Sequence, residues 1–69
     1  MADAERSIQE MVHRIRGQFL EMPGLRLTSA QAARLWALDR HTSEQILQRL
    51  TVAGFLLQNR SGAYLRASA

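Results

Sequence analysis

Arg40, His41, Thr42, Gln45, Gln48 and Arg49 crowd hydrogen-bonding side chains into ten residues of this 69-residue chain. On a helix from Arg40 to about Ala53, with Ser43, Ile46, Leu47 and Leu50 as its inward stripe, the outward centre is His41, Gln45 and Gln48. Thr42 and Arg49 then lie on one flank, Arg40 and Glu44 on the other. Glutamine can pair with a planar donor–acceptor edge, and arginine grips oxyanions with a rigid fork of donors. The chemistry of such a face is recognition through hydrogen bonds. Bond-making chemistry has little to work with. The chain has no cysteine or lysine nucleophile, no serine with a histidine and carboxylate at a recognisable spacing, and no glycine-rich phosphate loop. His13 and His41 lie far apart, with no metal-ligand spacing around them, so neither enzyme activity nor a metal or cofactor is expected.

The charge agrees with an anionic partner. The net charge is +3, and all nine basic residues are arginine. The high isoelectric point of about 11.1 overstates this excess, because arginine alone raises it. With 46% hydrophobic and 22% charged residues the chain is of the folding kind, long enough for one domain over residues 1–69. Without cysteine, neither disulfides nor thiolate metal sites can add stability, which leaves packing or self-association. No apolar run approaches the roughly 20 residues that span a bilayer, and the charged first ten residues lack a signal-peptide core. No membrane association and a cytoplasmic location are expected.

Four segments must position the hydrogen-bonding residues. Ile8, Met11, Val12, Ile15, Phe19 and Met22 recur at helical spacing and predict a helix over about residues 3–21, with Arg6, Glu10, Arg14 and Gln18 on its wet face. Gly17 within it marks a bend or a close helix contact. Met22-Pro23-Gly24 ends this helix, and Leu25-Arg26-Leu27 alternates like a short edge strand. Thr28 and Gln31 are spaced as a capping box for a second helix over about residues 29–37, whose less polar positions are Ala32, Ala33, Leu35 and Trp36. Ala33, Ala37 and Leu38 sit where a tight turn between crossed helices needs two small residues and an apolar plug. Asp39 is placed to cap the third helix, over about residues 40–53. Residues 55–66 then read as a β-hairpin around Gln58-Asn59-Arg60-Ser61-Gly62. Trp36 is expected as a core anchor, and Tyr64 as packing across the hairpin with its hydroxyl in water.

In this order the segments resemble the winged helix-turn-helix family, and Leu27 to Arg40 is similar to the corresponding stretch in small bacterial proteins of that type. The resemblance covers nearly the whole chain. It implies an α+β, mostly α fold: three helices, the last two forming the helix-turn-helix, with a C-terminal β-hairpin wing. It also implies a duplex-DNA partner, the 40–53 helix in the major groove, and a role in transcription regulation. Gln45 and Gln48 would then meet adenine edges and His41 a phosphate or a guanine. Arg40 and Arg49 would clamp phosphates, and Arg60 and Arg66 on the wing would touch the backbone or minor groove. Palindromic operators favour a homodimer, expected through helix one with Leu20 in the contact. Two departures stand out: Ala37 where a turn glycine is common, expected to tighten the turn, and Ser43 where an aliphatic is common, expected to weaken the core slightly. Glu44 repels phosphate, and the modest charge joins it in favouring the alternative, a protein–protein interaction adaptor on the same fold.

Overall fold

Residues 2–67 are described by a computed structural model of the chain; Met1, Ser68 and Ala69, included in the single-domain reading, lie outside the described residues. Helix α1 runs over Ala2–Glu21, α2 over Ser29–Leu35 and α3 over Arg40–Val52, followed by strands β1 (Leu56–Gln58) and β2 (Tyr64–Arg66). This is the expected α+β, mostly helical arrangement of three helices and a C-terminal hairpin.

Helix α1 buries Ile15 and Phe19 completely and rests Ile8, Met11 and Val12 against the same core. Met22, expected on that stripe, is instead exposed at 42%. Pro23 disfavours helical geometry at the residue before it, so the helix stops at Glu21, with the Met22 amide still donating to the Gln18 carbonyl at 3.0 Å. Gly17 does not interrupt α1, which runs unbroken over Ala2–Glu21, and a β-carbon built there has nothing within 4 Å. The helix propensity of alanine therefore acts without opposition. Gly17→Ala is expected to stabilise the domain by about 0.5–1 kcal/mol, raising Tm by several degrees in a calorimetric scan. A loss of stability would reveal a helix contact.

The starts of α2 and α3 are set locally. The Gln31 amide donates to the Thr28 hydroxyl at 3.2 Å, and the Thr28 amide donates back to the Gln31 side chain at 3.0 Å, completing the capping box. Asp39 caps α3 by accepting from the Thr42 amide at 3.2 Å and from the Thr42 hydroxyl. These bonds, the hydroxyl's first, hold the Asp39 carboxyl below the usual carboxylate range.

Both helices end in the same way. Past α3, the Phe55 amide donates to the Leu50 carbonyl (2.9 Å) and the Gly54 amide to the Thr51 carbonyl (3.0 Å), a Schellman motif with Gly54 left-handed at φ 84°. Past α2, the Leu38 amide donates to Ala33 (2.8 Å) and the Ala37 amide to Arg34 (3.4 Å), with Ala37 left-handed at φ 54°. Helix α2 thus stops at Leu35, two residues short of the expected end, because Ala37 has left the helical region. The alanine does not tighten the turn; it bears the strain that glycine avoids at this position. Leu35, in the last turn of α2, is 56% exposed, whereas Ala32 is buried.

The core gathers Ile15, Phe19, Ala32, Ile46, Leu47, Leu50, Leu56 and Tyr64. Trp36 is half-buried at the end of α2, its ring tilted at 56° to Phe19 with centroids 6.4 Å apart. Ser43 is 1% exposed, and its hydroxyl donates to the Ser29 carbonyl at 2.9 Å, joining α3 to the first turn of α2. The serine is therefore not a weak spot, since its one polar atom is satisfied where the helices cross. Ser43→Ala is expected to cost about 1 kcal/mol in urea unfolding, and Ser43→Val no less, because the larger side chain loses the bond and strains a filled site. A more stable valine variant would show that packing alone matters there.

Strands β1 and β2 pair antiparallel, with Leu56 opposite Arg66, Leu57 opposite Leu65 and Gln58 opposite Tyr64. On the other side of β2, Leu27 and Tyr64 exchange two backbone bonds, so the expected strand at Leu25–Leu27 shrinks to one bridge. Tyr64 is only 4% exposed and belongs to the core rather than lying across the hairpin surface.

Candidate nucleic-acid interface

Helix α3 is fixed from three sides: by its Asp39 cap, by the Ser43 bond to α2, and by Ile46, Leu47 and Leu50 in the core. What remains outward is narrow. His41 and Gln48 are exposed and Gln45 half-buried, and among the described residues none of the three side chains forms a hydrogen bond or ion pair within the chain. Their hydrogen-bonding capacity is available to a partner. Val52 continues the same stripe one turn beyond Gln48 and is 84% exposed, an apolar member that the polar reading of this face overlooked.

The flanks are engaged within the protein. Arg40 Nε lies 3.4 Å from Glu44 Oε1 one turn along the helix, with both side chains exposed. Arg49 reaches away from the outward centre to Glu5 on α1, 2.8 Å from Oε2 and 3.0 Å from Oε1. Its partner lies 44 residues earlier in the sequence. Such exposed pairs contribute up to about 1 kcal/mol each and are weakened by salt, so another anion can compete for either arginine. Thr42 is half-buried and commits its hydroxyl to Asp39, which leaves it serving the cap.

The hairpin separates its two arginines. Asn59 builds the tip: its side-chain oxygen accepts from the Ser61 amide (3.0 Å), the Ser61 hydroxyl (2.9 Å) and the Ala63 amide (3.0 Å). Arg60, beside it, is exposed and without an ion pair among the described residues. Arg66 lies at the opposite end of the ladder. Being paired with Leu56 and two residues from Tyr64, it projects from the inward face of the hairpin, because strand side chains alternate. Its guanidinium carbon lies 5.4 Å from the centroid of Phe55, and its Nε is buried without a hydrogen-bond partner among the described residues. Arg16, from α1, lies 4.8 Å from the same centroid. This long-range contact left no mark on the local sequence.

The structure thus brings His41, Gln45 and Gln48 onto one face and holds Arg60 at an exposed tip. It ties Arg40, Thr42 and Arg49 to partners within the fold and places Arg66 at the base of the hairpin. No helix among the described residues is long and apolar enough to cross a membrane. No protein-family model matches this chain, and neither a curated protein nor a solved structure is significantly similar to it.

Proposed function

We propose that the domain is a winged helix-turn-helix module that binds duplex DNA with α3 in the major groove and the hairpin tip on the adjacent backbone, acting as a small regulator of transcription. The observation that carries this reading is the outward face of α3, where His41, Gln45 and Gln48 have no partner within the chain among the described residues. Two glutamines one turn apart suit adenine edges, which present an acceptor beside a donor. Arg60 supplies a phosphate contact as it stands, and Arg40 and Arg49 add theirs by exchanging a carboxylate for a phosphate oxygen. Arg66, under the hairpin, lies apart from the contacts made by α3 and the hairpin tip. A homodimer formed through α1 would present two reading helices to a palindrome, and Leu20 (43% exposed) beside Met22 supplies an apolar start for that contact.

A protein-interaction adaptor is the second reading. The internal pairing of Arg40 and Arg49 and the exposed Val52 favour it, since both dilute the positive character of the α3 surface.

An amide chemical-shift titration with a mixed-sequence duplex at low and physiological salt separates the two. DNA binding is expected to shift residues 40–48 and 59–62. With two to four phosphates neutralised, affinity falls with salt at a log–log slope of about −2 to −4. Arg60→Ala weakens all sequences alike, whereas Gln45→Ala and Gln48→Ala relax preference at particular base pairs. A spectrum unchanged by duplex at low salt removes the DNA reading and leaves the adaptor.

A further inference from the structure

Arg16 and Arg66 converge on one aromatic ring from different parts of the fold, α1 and β2. Their guanidinium carbons lie 4.8 and 5.4 Å from the Phe55 centroid, and neither arginine forms an ion pair among the described residues. Cation–π attraction holds each side chain in place, but it does not relieve the repulsion between two cations within about one Debye length, ~10 Å at 0.1 M salt. Arg66 adds a second deficit, a buried Nε–H with no acceptor among the described residues. Buried donors are nearly always paired, and an unpaired one is costly. One group remedies both deficits: an oxyanion that lies between two positive charges and accepts from Nε and a terminal nitrogen of the same guanidinium, the side-on geometry arginine offers to phosphate.

The geometry points to a phosphate-binding site at the base of the hairpin, formed by Arg16 and Arg66 against Phe55, in which Arg66 turns its Nε edge from the ring to the anion. Arg16 is exposed and Arg66 half-buried, so the terminal nitrogens meet the anion first. The site lies at the opposite end of the β-ladder from Arg60 and does not depend on α3 reading DNA. Its ligand is a phosphate group, either a free ion or one carried by a nucleic-acid backbone.

The test follows the arginine Nε–H resonances of the labelled full chain during titration with inorganic phosphate, against chloride at equal ionic strength. The Arg16 and Arg66 signals are expected to shift and saturate with phosphate only. Arg16→Gln, at an exposed position, is expected to weaken phosphate roughly 5-fold or more, as loss of one of two charged contacts implies, while Arg34→Gln on α2 changes nothing. Circular dichroism confirms that each variant is folded, and Arg16→Lys, which keeps the charge but not the fork, should fall between Arg16→Gln and the unaltered chain. Equal responses to chloride, a shift that never saturates, or unchanged affinity in Arg16→Gln each overturn the site. A mixed-sequence duplex then identifies the source. Shifts at both Arg66 Nε and the α3 amides assign the phosphate to a DNA backbone. A response to inorganic phosphate but none to duplex removes the DNA reading and leaves a site for a free phosphate ion.

Discussion

Phe19→Ala is expected to remove about a third or more of the domain's stability and to move its unfolding to much lower urea. Phe19 is wholly buried between α1 and the end of α2, where it meets Trp36 and the Ile15–Ile46–Leu50 core. Truncating a buried phenylalanine costs about 3–5 kcal/mol, part of it lost transfer energy and part the cavity left behind. A chain of this length has a total stability of about 3–10 kcal/mol, so the loss takes about 30% of it or more. With a urea dependence of about 1 kcal/mol per molar, the midpoint falls by about 3 M or more. Trp36, the only tryptophan, reports the same event through its fluorescence. Its emission in Phe19→Ala should reach that of the unfolded chain at correspondingly lower urea, while circular dichroism shows the helices lost over the same range. A midpoint lowered by less than 1 M would mean that α1 is not seated on the core as described.

The second large effect comes as a pair with opposite signs. Ala37 and Gly54 occupy the same position in two Schellman motifs, both left-handed, at φ 54° and 84°. A β-carbon there costs about 1–2 kcal/mol, partly offset by the greater freedom of glycine in the unfolded chain. Ala37→Gly is therefore expected to raise stability by about 0.5–1 kcal/mol, and Gly54→Ala to lower it by about 1 kcal/mol or more. At Gly54 the added β-carbon meets nothing within 4 Å, so the cost is conformational alone. Thermal midpoints should move apart by roughly 6–16 °C between the two variants, at 4–8 °C per kcal/mol for a domain of this size. Because the positions are far apart in sequence and end different helices, the double variant should come close to the sum of the two. A stabilised Gly54→Ala would mean that α3 does not end in a left-handed residue.

Ala37 also marks how far the sequence could be read. The small residues at the turn were legible, but alanine is a strong helix former, and its propensity carried the expected α2 past Leu35. The hydrogen bonds from Ala37 and Leu38 back into α2 require the left-handed geometry and override that preference. Ser43 shows the same limit at longer range. As a departure from an aliphatic pattern it suggests a softened core, yet its acceptor, the Ser29 carbonyl, becomes visible only once α2 and α3 cross.

The sequence by itself determined the three helices, the N-caps of α2 and α3, the hairpin, the inward stripe of α3 and that of α1 as far as Phe19. Each of these depends on bonds and side-chain spacings within a few residues, where periodicity and capping chemistry act. Even the outward centre of α3 follows from the position of its apolar stripe. Tertiary structure decided which charges are committed: Arg49 to Glu5 across two helices, and Arg16 and Arg66 to Phe55 at the base of the hairpin. Long flexible side chains carry no periodic signal of their partner. Their pairing depends on where helices and strands meet in space, so the arginine count could suggest an anionic partner while only the fold could place the guanidinium groups.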